Sequence, residues 1–182
     1  MNFKHTARIL VLSAAVAAFA AQAQGPTDPQ IAAIVVTANQ VDIDAGKLAK
    51  SKAHAKEVAA FAERMVVDHE GVNQSARELV SRLQVTPEPN ATSESLQQGG
   101  DENLAKLEKL SGQAFDRAYV EHEVAYHQAV LDAVDKTLIP SAQNAELKAL
   151  LVKVRPAFVA HLEHARQLQA SLEQVGGLEH GE

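Results

Sequence analysis

Along most of the chain apolar residues recur at intervals of three and four, and no stretch alternates convincingly with period two. That spacing belongs to helices with one buried face. Ile31, Ile34, Val35, Ala38, Val41, Ala45, Leu48 and Ala49 mark a first helix from about Pro29 to Ser51. Val58, Phe61, Ala62, Met65, Val66, Val72, Ala76, Leu79, Val80 and Leu83 form the stripe of a second, from about Ala55 to Leu83. A third is expected from Gln113 to Leu138, ended by Pro140, and a fourth from Asn144 to Gln174, which Pro156 should kink or break. Thr27 or Asp28 is placed to cap the first helix, with Pro29 in its first turn. Pro, Ser, Asn, Gln and Gly crowd 87–100, which reads as the one long loop, followed by a short helix from Asp101 to Leu110. Two short turns and one longer connection between long amphipathic helices predict an all-α fold: an antiparallel four-helix bundle with a short extra helix before its third long helix.

Each predicted stripe is interrupted by an ionisable residue. Positions three, four and seven apart share a helix face. Asp42 lies seven after Val35 and seven before Ala49; His69 lies four after Met65 and seven before Ala76; His161 lies seven after Val154 and seven before Leu168. The third helix carries two, Glu123 and His127, four apart and flanked by Val120, Val130 and Val134. Depth agrees with phase. From a turn near His54, Asp42 is 12 residues away and His69 is 15; from a turn near Ala142, Glu123 and His161 are each 19 away and His127 is 15. A three-residue offset is about 4.5 Å of helix rise, so all five groups should meet near one level.

A buried carboxylate or imidazole without a partner costs several kcal/mol as an ion, on the order of what a whole domain has to spare. Five facing one volume must satisfy each other, hold water or bind a cation. The expected metal ligands are therefore Asp42, His69, Glu123, His127 and His161, a donor set that admits Fe, Mn, Zn or Cu. Against a di-iron centre, none of the three histidines follows a glutamate by three positions: Val66, Val124 and Phe158 stand there. Asp68 points about 100° away from His69 and should pair locally or face solvent. His122 and Tyr126 read as a packing pair at the stripe's edge, Asp116 as a cap of its own helix or a partner of Arg117 or Arg155, and His164 and His180 as exposed.

The first residues change where this fold should work. Lys4 and Arg8 precede an apolar run, Ile9 to Ala21, too short for a membrane span, and Ala21-Gln22-Ala23 fits a small-x-small cleavage site. A signal peptide over 1–23, cleaved after Ala23, makes the protein exported and periplasmic; the rival is an uncleaved anchor. Residues 24–28 read as a linker, 29–175 as the bundle and 176–182 as a flexible tail. Cleavage removes two cations and no anion, so the formal charge moves from −6 to −8. An acidic chain with no basic block argues against nucleic acid and anionic membrane as partners. There is no cysteine, hence no disulfide, no thiolate ligand and no lipid-anchored cysteine.

Three segments together carry a resemblance: Met65-Val66-Val67-Asp68-His69, then Gly112-Gln113-Ala114-Phe115-Asp116-Arg117-Ala118-Tyr119, then Pro156 to Leu162. They resemble a bacterial domain-of-unknown-function family, number 4142, over roughly Pro29 to Gln169. The resemblance implies a ferritin-like, exported helical bundle with His69, His127 and His161 at family positions. It also implies a glutamate where this chain has Asp42, a shorter carboxylate that departs from a ferritin-type ligand. No reaction comes with it. Three functions stay open: a periplasmic metal-binding bundle for storage, buffering or oxidant defence; a non-enzymatic structural or stress protein with a metal-free polar network; and a ligand- or partner-binding module using the loop 87–100.

Overall fold

In the computed structural model of the chain, which describes residues 25–179 and their side chains through Gln174, every regular element is helical. The expected signal peptide and His180 lie outside the described residues. The order is α1 (Asp28–Lys52), α2 (Lys56–Arg82), α3 (Ala91–Glu108) and α4 (Gly112–Ala133). A π-helical turn (Val134–Leu138) then leads into a last short turn α5 (Ile139–Ser141), followed by α6 (Ala145–Glu179). The helix α6 runs through Pro156 without interruption and continues past Gln174 to Glu179.

Helix starts follow from local chemistry. Thr27 caps α1 in a reciprocal box with Gln30: the Gln30 amide donates to Thr27 Oγ1 (3.4 Å) and the Thr27 amide to Gln30 Oε1 (3.1 Å). Asn144 caps α6 by accepting from the amides of Glu146 and Leu147. The helix α2 has no capping side chain of its own. Asp116, buried on α4, supplies one instead: its two oxygens accept from the amides of His54 (2.9 Å) and Ala55 (2.8 Å). It therefore neither caps its own helix nor pairs with Arg155, which holds Asp135 at 2.6 Å. Asp28 does the same at the opposite end, accepting from the amides of Gln143 and Asn144 (both 2.9 Å) in the turn before α6.

The segment 87–100 is not a long loop. Asn90 starts α3 by accepting from the amides of Thr92 and Ser93, while Ser93 Oγ accepts from the Asn90 amide. The buried residues of α3 are Ser93, Gly100 and Leu107, seven apart. Gly100 looks like a helix breaker, since glycine costs about 1 kcal/mol against alanine in a helix. Here it is a contact residue: a Cβ at that position would lie 2.7 Å from Val41 Cγ2 on α1. Close approach of α3 to α1 outweighs propensity. The π-helical turn also has a local cause. Pro140 has no N–H to give the carbonyl four residues back and its ring crowds that carbonyl, so the preceding turn widens, with the Ile139 amide reaching Val134 O.

The helix α1 packs against α2, α3 and α4, and α6 against α4 and α2. Two large apolar clusters and a small third one, Leu131, Phe158 and Leu162, fill the interior. One gathers Phe61, Met65, Leu107, Phe115, Tyr119 and Leu168 with the alanines of α1. The other gathers Ile31, Ile34, Leu79, Val134, Leu138 and Leu151. Asp42, His69, Glu123, His127 and His161 lie along their helices between these two groups. Among the described residues no helix is long and apolar enough to cross a membrane.

Candidate metal centre

The structure brings all five expected residues into one interior layer, and none is more than 3% exposed. Asp42 comes from α1, His69 from α2, Glu123 and His127 from adjacent turns of α4, and His161 from α6. Asp42 Oδ2 is 2.5 Å from His69 Nε2 and 3.6 Å from His127 Nε2; Glu123 Oε2 is 3.3 Å from His127 Nδ1. One donor atom each of His69, His127 and His161 lie within 4.8 Å of one another, and so do those of Asp42, Glu123 and His127.

The outer contacts decide which ring nitrogens carry protons. Asn39 Nδ2 donates to Val35 O at 2.7 Å, which turns Asn39 Oδ1 toward His69 Nδ1 at 2.6 Å. A carbonyl oxygen only accepts, so His69 Nδ1 bears the hydrogen. His161 Nε2 meets Asp68 Oδ2 at 2.8 Å and must donate to that carboxylate. His127 Nδ1 donates to the main-chain oxygen of Glu123 at 3.1 Å. His127 and His161 are thereby left with one bare nitrogen each, His127 Nε2 and His161 Nδ1, while the second nitrogen of His69, Nε2, faces Asp42 Oδ2. Both bare nitrogens are buried with no hydrogen-bond partner. Orientation of an imidazole by an outer carboxylate, carbonyl or amide is how proteins present histidine to a metal.

The acids respond oppositely to the same burial. Burial raises the Asp42 pKa, but the positive charges that His69 and His127 can carry beside it outweigh that and hold it below the usual carboxylate range. Glu123 is pushed well above its ordinary value by burial and then by the Asp42 charge. His161 is lowered to about 4, chiefly by burial and then by His69 and His127, with Asp68 pulling the other way. At neutral pH His161 is thus uncharged and Asp42 ionised. Tyr119, one turn before Glu123, is buried with its hydroxyl unpartnered, and burial holds its pKa well above normal.

Seven of the ten buried polar atoms that make no well-directed hydrogen bond among the described residues belong to the five expected ligands, and two of these seven, Asp42 Oδ2 and His69 Nε2, face each other at 2.5 Å. An atom left unsatisfied there costs about 1–3 kcal/mol, so the residues of this layer could hold a cation. The spacing fits a cation. With metal–nitrogen bonds of about 2.0–2.1 Å in tetrahedral geometry, three imidazole ring centres fall about 5.2 Å apart. The ring centres of His69, His127 and His161 stand 5.5, 5.2 and 5.4 Å apart. Phe158 stacks on His69 at 5.2 Å, nearly parallel, and fixes its plane.

Three members of the site were not legible as such. Asn39 lies three residues before Asp42, a spacing that places it on the same face. Tyr119 lies four before Glu123. Asp68 reaches across to His161, with Arg64 at 3.5 Å. The remaining expectations are met or adjusted. Tyr126 stacks with His122 at 5.4 Å and donates to Ala38 O. His164 is half-buried, edge-on to Phe61.

An all-helical chain with three oriented imidazoles and two carboxylates in its interior defines a class: a helical protein with a candidate cation site in its core. Residues 13–168 match a domain of unknown function, DUF4142, and the chain belongs to that family. No curated protein and no solved structure matches it.

Proposed function

We propose that the protein is an exported, periplasmic four-helix bundle of ferritin-like architecture, with α1, α2, α4 and α6 antiparallel. In its core it holds one transition-metal ion on His69, His127 and His161, with Asp42 as the fourth donor and Glu123 in reserve. The observation that carries this reading is the convergence of His69, His127 and His161 on one buried volume, with His127 Nε2 and His161 Nδ1 left bare by outer acceptors on their own rings and His69 Nε2 facing Asp42, the proposed fourth donor. Three imidazoles and a carboxylate suit Zn²⁺ or Cu²⁺ ahead of Mn²⁺, and also accept Fe²⁺. Such an ion would supply Lewis acidity or, for iron, manganese and copper, redox chemistry. One closed site per chain suits buffering or oxidant defence better than bulk storage. The apolar run Ile9 to Ala21 and the cleavage pattern at Ala23 support export.

Elemental analysis of protein purified from native periplasm tests this. About one equivalent of metal is expected, lost in a His69→Ala, His161→Ala double variant that keeps its helical circular dichroism. Protein that stays metal-free in excess Fe²⁺, Mn²⁺, Zn²⁺ and Cu²⁺ overturns the reading.

One observation favours a second reading, a metal-free polar layer that fixes helix register. Asp42 ionised beside a protonated His69, with Glu123 neutral, balances charge without a metal. The same metal measurement separates the two.

A further inference from the structure

Beside the imidazole layer lies a cavity of about 130 Å³. Its walls are almost wholly aliphatic: Val35 from α1, Val130 from α4, Val134 and Leu138 from the π-helical turn, and Leu151 and Val154 from α6. The rings of His69 and His127, with Phe158, close its inner end, and Ala129 and Thr92, both exposed, stand at its rim. Polar groups on the wall are already engaged. The Tyr126 hydroxyl donates to Ala38 O, Asn39 uses both ends of its amide on Val35 O and His69, and the outward nitrogens of both histidines are bonded. A water needs two to four polar partners, and apart from the Thr92 hydroxyl at the exposed rim this space offers none that is free except toward the imidazole layer. An engineered apolar cavity of roughly 150 Å³ stays dry and takes up benzene or xenon.

We propose that this cavity is a binding site for a small uncharged apolar molecule, no larger than a six-carbon ring, held with one edge against the imidazoles of His69 and His127. The site is formed by the widened turn that Pro140 imposes, since two of its aliphatic walls come from that turn. Its recognition is by shape and exclusion of water, and it does not depend on a metal being bound nearby. A ligand seated there would nonetheless lie beside any cation the histidines hold, which makes it a candidate second substrate or effector of that centre.

The full chain, prepared metal-free, is titrated with benzene and followed by methyl and imidazole proton NMR. Saturable shifts with one-to-one stoichiometry are expected for the methyls of Val130, Val134, Leu138 and Val154 and for the ring protons of His69 and His127. The ring protons of His54 and His164 should stay still. Xenon should displace benzene. Ala133→Phe, which fills the cavity, should abolish the shifts; Ala129→Leu at the exposed rim, a milder change, should weaken binding at least tenfold if the first variant does not fold. Absence of saturable shifts in the wild-type chain, or equal shifts in both variants, overturns the proposal. Because the titration uses metal-free protein, its failure is distinct from failure to bind metal: a chain that binds Zn²⁺ but not benzene loses only the cavity, and one that binds benzene but no metal keeps it.

Discussion

Replacing Asp68 with alanine tests the idea that outer contacts prepare the histidines for a metal. The Asp68 side chain is 38% exposed, so its contact with His161 contributes no more than about 1 kcal/mol to folding and the variant should keep its structure. Its effect on metal affinity should be larger. Without the carboxylate, His161 no longer has to place its hydrogen on Nε2, and the tautomer with Nδ1 protonated turns a donor away from the site. Loss of such an outer partner costs about 10–100-fold in metal affinity, or about 1.4–2.7 kcal/mol at 25 °C. Protonation cannot account for the loss. Asp68 raises the His161 pKa, so its removal lowers that pKa further from about 4 and leaves the ring neutral at pH 7. Competition between the protein and a chromophoric chelator for Zn²⁺ measures the change. In a His161→Ala background the Asp68→Ala step should have no further effect, because the ring it orients is gone. An Asp68→Ala protein that binds Zn²⁺ within twofold of wild type, or an unchanged loss in the His161→Ala background, would refute the reasoning.

Four further outcomes follow from the same geometry. Asp42→Asn removes the counter-charge of His69 inside the core and should destabilise the metal-free chain by about 3–5 kcal/mol. Glu123→Gln keeps the size of a carboxyl whose pKa burial and the Asp42 charge raise, and should cost less than Asp42→Asn; urea unfolding at pH 6 compares them. Its loss should instead flatten the alkaline side of the stability profile, since a raised carboxyl pKa favours folding at low pH and ceases to do so as the group ionises. His161 has the opposite pH signature: its folded pKa of about 4 lies below the unfolded value near 6.5, so its contribution is complete above about 6.5 and is lost as pH falls toward 4. The thermal midpoint of metal-free protein should drop over that interval by an amount that His161→Gln removes, as scanning calorimetry can show. Gly100→Ala sets a Cβ 2.7 Å from Val41 Cγ2 and should cost about 1–3 kcal/mol, most of it recovered by adding Val41→Ala; denaturant midpoints of the four proteins decide it.

The long helices were readable because each buries one face, and a buried face leaves a period of 3.6 in the sequence. The five ionisable residues were readable for the same reason: Asp42 and His69 interrupt stripes that are otherwise apolar. Periodicity locates a residue on a helix but not its partner on another. Asp68, about 100° from His69 on the same helix, faces α6 and meets His161, a contact set by helix packing. Asn39 went unnoticed because asparagine on a helix resembles a surface residue until its amide is seen between Val35 O and His69. The first half of α3 was hidden by composition. Gly99, Gly100 and their polar neighbours read as a loop, and only the touch of Gly100 on Val41 shows why glycine stands in a helix there. The cavity was illegible in principle, because empty space depends on how six elements fit.

The two carboxylate caps at opposite ends of the molecule have a shared consequence. Asp28, on the helix pair α1 and α2, grips the turn that begins α6, while Asp116, on α4, grips the turn that begins α2. Each pair thus clasps the other, once at each pole, like two bolts through one joint. A slip of a single helical turn would move one pair about 5.4 Å along the other, orphaning four amides and two carboxylates together. The interior chemistry depends on spacings finer than that step, and two residues far from it keep the two halves of the molecule in gear.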